Sequence, residues 1–358
     1  MSLQQITAND LQTGSLENYM ANQGGAFGFK NRIINGAMVF DQRDSGASVT
    51  ITNTSSRTYT IDRWSSYGTQ ASKFSVQQNA GAVTPPTGFT NYLGAVSASA
   101  YSVTSGDIFN INQNIEGYNF ADLAWGTSSA KPVTLSFVVY SSLTGTFGGA
   151  ITNSNNTRCY PFSYTISATN TWTTVSVTIP GDTTGTWGTG NGTGIAVSFS
   201  LGMGSTYTGS GNAWTGSTIL APTGSVSVVG TSAATFYITG VQLEKGTVAT
   251  PFEYRDYGRE LMMCQRYYTK LDGTNNGLWW QAYSASGQNF AFNITNPVTM
   301  RTQPTGAVYG TWTVTNCGQP NLGGQSTTQT SIYVTATSSA TTAFYSSSTS
   351  GITLSAEL

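Results

Sequence analysis

The side chains in this chain that could do chemistry come down to carboxylates, aromatic rings and three thiols, because its 358 residues include no histidine. That removes the commonest general base and the commonest metal ligand. Ser-His and Cys-His nucleophilic mechanisms go with it. A pair of carboxylates would still suffice for glycoside hydrolysis. Asp and Glu total 15. Asp62 stands at a strand end, Asp44, Asp182 and Asp272 stand in turn sequences, and Glu116, Glu244 and Glu253 fall in or beside strand patterns. No spacing singles out a pair, so the expectation is a protein that is not an enzyme.

Glu244 supports two readings. It follows the strand pattern Phe236–Leu243, a place where jelly-roll modules hold a structural calcium through oxygen ligands. The favoured reading is a carboxylate paired with Lys245, Arg32 or Arg63 near a sheet edge. Apart from that calcium, no cofactor or metal is expected. Cys159, Cys264 and Cys317 lie far apart, with neither a CxxC pair nor a zinc spacing. They read as buried free thiols.

Aromatic rings are the second chemical resource, since sugar rings stack on exposed Trp and Tyr faces. The chain is 12% aromatic, with 8 Trp and 19 Tyr. Trp187, Tyr207 and Trp214 lie in the loop sequences GDTTGTWGTGNGTG and GSTYTGSGNAWTGS, and are the candidate glycan contacts. A Trp among glycines also pins a loop onto a sandwich end, which is the competing reading. Trp64 and Trp172 sit in alternating strands and belong to the core or its edge. Trp279 and Trp280 must point to opposite faces of a strand, so one is exposed or covered by a neighbouring subunit. The glycines of Gly188–Gly194 follow no buried apolar strand and open no helix, so they are no phosphate loop.

Only 8% of the chain is charged, with 14 basic and 15 acidic residues, far below the usual quarter. Such a surface offers no basic field for nucleic acid and no basic amphipathic helix for a membrane. It must present hydroxyl, amide and backbone groups to water. The N-terminus lacks an apolar core and no apolar run reaches spanning length, so neither export signal nor membrane insertion is expected.

The elements that must position these residues are mostly strands. Residues 1–30 differ, with Ser15 capping a short helical pattern that places Leu16, Tyr19 and Met20 on one face. That arm needs a partner to lie on. From Asn31 the pattern is β: Asn31–Gly36, Val49–Thr52, Tyr59–Trp64, Lys73–Gln78, Tyr92–Val96, Asp107–Gln113, Val133–Tyr140, Pro161–Ile166, Thr173–Ile179, Gly194–Leu201 and Thr235–Leu243. Strands separated by Gly/Asn/Ser turns, without crossover helices, predict an antiparallel jelly-roll sandwich over residues 31–255. Tyr257–Tyr268 reads as a helix linking domains over residues 256–270, with Leu261, Cys264 and Tyr268 on one face. Residues 271–358 read as a smaller C-terminal β-sandwich. Leu261, Met262 and Tyr268 are expected to pack between domains or between subunits.

Several of these stretches, taken together, resemble fibre or tail-associated structural proteins of tailed bacteriophages that carry a carbohydrate-binding-module-like jelly roll. The carrying residues are Asn31–Met38 (NRIINGAM), Tyr59–Trp64 (YTIDRW), Phe236–Lys245, Ala249–Arg255 (ATPFEYR), Glu260-Leu261 and Cys264–Tyr268 (CQRYY). Pro297–Arg301 and Ile352–Leu358 fit as well, so the likeness runs from about Phe29 to Leu358. It implies a virion protein assembled in the host cytoplasm, a homotrimer, joined to other virion proteins through its N-terminal arm. Its outer domains would face host polysaccharide or lipopolysaccharide, on a tail, neck or head fibre. The alternatives are a purely structural decoration or connector protein, and a polysaccharide-degrading tailspike, which the missing shaft disfavours.

Overall fold

A computed structural model describes residues 30–272 and 278–358. The described residues are almost wholly β: a jelly-roll sandwich, one short α-helix, and a smaller β domain. No helix among the described residues is long and apolar enough to cross a membrane. The expected N-terminal arm, with Leu16, Tyr19 and Met20, lies outside the described residues.

The sandwich begins with β1 (Val49–Thr50), β2 (Thr58–Tyr59), β3 (Ser65–Gly68), β4 (Phe74–Gln78) and β5 (Leu93–Ser97). It continues with β6 (Ile108–Glu116), β7 (Val133–Ser141), β8 (Gly145–Thr152), β9 (Cys159–Ile166), β10 (Thr173–Ile179) and β11 (Thr193–Met203). A small parallel pair, β12 (Thr208–Gly209) and β13 (Ala221–Pro222), precedes β14 (Thr235–Lys245). One antiparallel sheet has the order β1-β4-β5-β14-β7-β10 and the other β2-β3-β6-β11-β8-β9.

Alternation explains the layering. Val133, Leu135, Phe137 and Val139 of β7 point into the core, as do Ile195, Val197, Phe199 and Leu201 of β11. The two sheets meet where the Phe137 and Phe199 rings pack edge to face at 5.1 Å. Within β14 the register shifts between Thr239 and Gln242, at Gly240 with φ 61°. A Cβ at Gly240 would come within 2.6 Å of the Phe89 ring, so glycine is required there twice over.

The segment Asn31–Gly36 was expected to be a strand and is irregular backbone instead. Side-chain hydrogen bonds replace the ladder. Asn31 Oδ1 accepts from the Leu243 and Ile33 amides, and Asn31 Nδ2 donates to the Val241 carbonyl. Gln113 brackets Ile34 in the same manner, accepting from its N–H and donating to its carbonyl. These amides satisfy buried backbone groups that a strand would otherwise pair.

The helix α1 (Tyr257–Gln265) is shorter than its sequence pattern. Asp256 caps it through the Arg259 amide at 2.9 Å. It stops at Gln265, and Tyr268 already belongs to β15 (Tyr268–Asp272), because β15 pairs with the returning end of the chain. Leu261 and Met263 pack with Ile34, Phe40, Cys264 and Tyr267. Met262 is 51% exposed, since it projects from the other side of the helix.

After α1 the chain makes three passes over three small antiparallel sheets. The first pass supplies β15, β16 (Trp279–Ser284) and β17 (Asn289–Thr295). The second supplies β18 (Thr305–Tyr309), β19 (Thr313–Thr315) and β20 (Asn321–Gln325). The third runs in reverse, so β21 (Gln329–Thr335), β22 (Ala340–Tyr345) and β23 (Gly351–Ser355) become the central strands. Trp312, Ile332, Val334, Phe344 and Ile352 form the shared core, with Trp280 packed against it.

Charged residues are concentrated where this domain meets the sandwich. Arg266 makes a two-pronged pair with Glu116 at 2.6 and 3.0 Å, and Tyr267 Oη donates to the same carboxylate at 2.5 Å. Glu357 accepts from both Arg43 and Arg63. Arg43 and Arg63 lie over the Tyr268 and Tyr267 rings, each with Cζ 3.5 Å from the ring centroid. Arg255 bridges Glu253 and Glu260 and donates to the carbonyls of Asn31 and Ile33. Arg301 donates to the Ala356, Glu357 and Asn191 carbonyls.

Candidate functional site

The outer face of the second sheet carries a groove of about 210 Å³. Its floor follows from the alternation of β6. Phe109, Ile111 and Ile115 enter the core, so Asn110, Asn112 and Asn114 face outward. On β11, Ala196 and Ser198 lie opposite Asn114 and Asn112 in register and complete the floor.

Loops build the walls. The turn Thr152–Asn156 after β8 forms one side. Asn153 holds it, accepting from the Thr157 and Arg158 amides and donating to the Thr186 carbonyl. Thr218 Oγ1 donates to the Asn156 carbonyl, and the Leu220 amide donates to the Tyr207 carbonyl, which ties the long loop to the same wall. At another point the Leu358 carbonyl accepts from Asn114 Nδ2 and from Tyr59 Oη. Arg57, between β1 and β2, is the one charged residue among those lining the groove.

The lining is amide and hydroxyl, with neither an aromatic ring nor a carboxylate. Asn112 Nδ2 donates to Asn114 Oδ1 at 2.9 Å, and Arg57 Nη1 donates to Asn110 Oδ1 at 3.2 Å. Among the described residues, Asn112 Oδ1 and Asn110 Nδ2 have no partner. Ser200, level with Asn110 on β11, also has a buried hydroxyl without one. Burial pulls the Arg57 guanidinium below its usual pKa. Amides that donate and accept at adjacent positions suit a polyhydroxylated ligand. The groove's hydroxyls have no carboxylate beside them in the lining to act as a base.

Two of the three expected glycan contacts belong to a ring cluster at the sandwich end. Trp187 is 7% exposed, and its ring lies 4.8 Å from Trp125 and 5.6 Å from Trp214. Its Nε1 donates to the Thr184 carbonyl, and that of Trp214 donates to the Pro180 carbonyl. Trp214 is half-buried, packed against Tyr160 at 5.2 Å. Tyr207 makes no ring contact with either among the described residues. Its backbone instead pairs with groove-lining Leu220.

The carboxylates singled out from sequence are all occupied. Glu116 binds Arg266 and Tyr267, and Glu253 accepts from the Asn31 amide and Arg255. Glu244 lies at the end of β14 and is buried. It accepts from Thr250 N, Thr250 Oγ1 and Gln242 Nε2, at 2.8, 2.6 and 2.9 Å, and so anchors the turn leaving β14. No group of three or more His, Cys, Asp or Glu side chains among the described residues is placed to hold a metal. The three cysteines are free and buried.

No protein-family model matches the chain, and no curated protein does. Among solved structures it is similar to the enzymatically active domain of bacteriophage CBA120 tailspike protein 4. That match has 12% identity over 60% of this chain and 21% of that one, at a TM-score of 0.31. It is also similar to the family 11 carbohydrate-binding module of the cellulase Lic26A-Cel5E of Clostridium thermocellum. There the identity is 13% over 57% of this chain and 98% of that one, at a TM-score of 0.28. The chain thus spans about a fifth of the tailspike structure. Such likenesses concern fold alone.

The groove was missed in the sequence, although a signal was present. Asn110, Asn112 and Asn114 alternate with Phe109, Ile111 and Ile115, so one face of the strand is all amide.

A second exposed feature lies on the C-terminal domain. Trp279 is 58% and Tyr283 72% exposed on one face of β16, and Trp279 stands opposite half-buried Tyr345 of β22. Trp280 is turned into the core, as two adjacent residues of a strand must divide.

Proposed function

We propose that this chain is a non-enzymatic fibre or tail-associated subunit of a tailed-phage virion that contributes to host-surface glycan attachment through the amide-lined groove. The observation that carries the proposal is the groove floor, where Asn110 Nδ2 and Asn112 Oδ1 have no partner among the described residues and no carboxylate competes for a ligand. Hydroxyl-rich polymers are the ligands such a lining fits. Tyr207, on the strip that walls the groove, and half-exposed Trp214 extend the contact surface. Trp187 supports that surface from behind.

Motif residues such as Arg63, Arg255, Arg266, Tyr267 and Glu357 are taken up in the domain junction. A shallow polar groove binds weakly. A homotrimer anchored through residues 1–30 on other virion proteins would convert three weak contacts into avidity. Polysaccharide or lipopolysaccharide of the host surface is the partner class.

A connector role within the particle is the second reading, and the exposed Trp279 and Tyr283 rings favour it. Particles lacking the subunit separate the two. Loss of adsorption with intact particles supports attachment, while normal adsorption by fragile particles supports the connector.

A further inference from the structure

We infer that the groove selects acidic saccharides, with Arg57 taking a carboxylate or phosphate group of the bound glycan. The inference rests on the glycan reading above and adds the charge class of the ligand.

Arg57 stands apart from the other arginines. Arg32, Arg43, Arg63, Arg158, Arg255 and Arg266 each meet a carboxylate, and Arg301 is held by three backbone carbonyls. Arg259 lies on the exposed side of α1. Arg57 is half-buried at the groove wall, and its one hydrogen bond among the described residues is to Asn110 Oδ1. A guanidinium can only donate, so this contact turns the Asn110 amide with its oxygen towards Arg57 and its nitrogen away. Arg57 Nε and Nη2 and Asn110 Nδ2 are then donors without a protein acceptor, all beside the same stretch of floor.

Taking a cation out of water is costly unless an anion or good acceptors replace the solvent. Here one neutral amide oxygen does so, and no carboxylate lies within pairing distance among the described residues. The remaining edge of the guanidinium is the forked donor that matches a carboxylate or phosphate. The rest of the lining carries no charge, so a single anionic substituent is all that the groove can balance.

Calorimetric titration of the full chain tests this with three oligosaccharides of one backbone: uronate-bearing, phosphorylated and neutral. The wild type should bind at least one acidic ligand roughly tenfold to a hundredfold more tightly than the neutral one, as charge-assisted hydrogen bonds warrant. Added salt should narrow that gap. Arg57→Gln should abolish the difference between acidic and neutral ligands, and Arg57→Lys should leave an intermediate difference. The uronate and phosphate arms tell which anion the site takes. Equal affinity for neutral and acidic ligands overturns the inference while leaving glycan binding intact, and so does an acidic preference that survives in Arg57→Gln. Binding of none of the three overturns the glycan reading itself.

Discussion

Arg266 and Glu116 lie 150 residues apart and close on each other through two charge-assisted hydrogen bonds of 2.6 and 3.0 Å. The Glu116 side chain is 2% exposed, so the pair is the buried fastening between the sandwich and the C-terminal domain. Tyr267, the next residue, donates to the same carboxylate and lies beneath Arg63.

Removing one partner of such a pair strands the other. Arg266→Ala should destabilise the protein by about 3 kcal/mol, because Glu116 then remains buried with only the Tyr267 hydroxyl facing it. Denaturant unfolding measures this. A loss below about 1 kcal/mol, typical of exposed pairs, would contradict the role given to the junction.

Acid should first stabilise this protein and then destabilise it. Burial raises Asp62 to about 6, and burial together with Asp41 raises Asp44 to about 6. The folded state therefore takes up protons before the unfolded chain does, and stability rises as pH falls from 7 through 6 towards the ordinary carboxylate range near 4. Asp107 and Asp182 are shifted downward by their hydrogen bonds, and the stability they lend is lost only below that range. Melting temperature should thus peak near pH 5, with a flatter rise in Asp62→Asn. A monotonic fall from pH 7 would contradict the shifts.

The exposed face of β16 predicts an assembly contact. Trp279→Ser should change unfolding free energy by no more than about 0.5 kcal/mol, since Trp279 touches solvent and not the core. In the proposed trimer the same change should lower the oligomer mass seen in light scattering. A stable monomer in the wild type would remove the basis for both avidity and this face.

Much of the architecture was legible because alternation survives in the sequence. Thr173–Ile179 was expected as a strand over the same bounds the structure has. The strand Gly145–Thr152 was invisible because glycines occupy its outward and close-packed positions; a Cβ at Gly149 would sit 2.2 Å from the Ser198 carbonyl. Asn31–Gly36 misled in the opposite direction, since its adjacent β-branched Ile33 and Ile34 are buried in an irregular segment tied by side-chain amides. Carboxylate partners such as Glu116 and Arg266 could not be paired from sequence, because register between distant strands decides them. The groove hid for a related reason: its polar floor draws on two strands far apart in the chain.

Glycan binding by the purified full chain tests the central claim most directly, comparing the wild type with Asn112→Ala in titration against host-surface polysaccharide. Saturable binding by the wild type and a roughly fivefold to tenfold loss in Asn112→Ala, the worth of one or two hydrogen bonds, are expected at a temperature where both proteins are folded. Equal binding by both proteins, or no binding by the wild type, would contradict the claim.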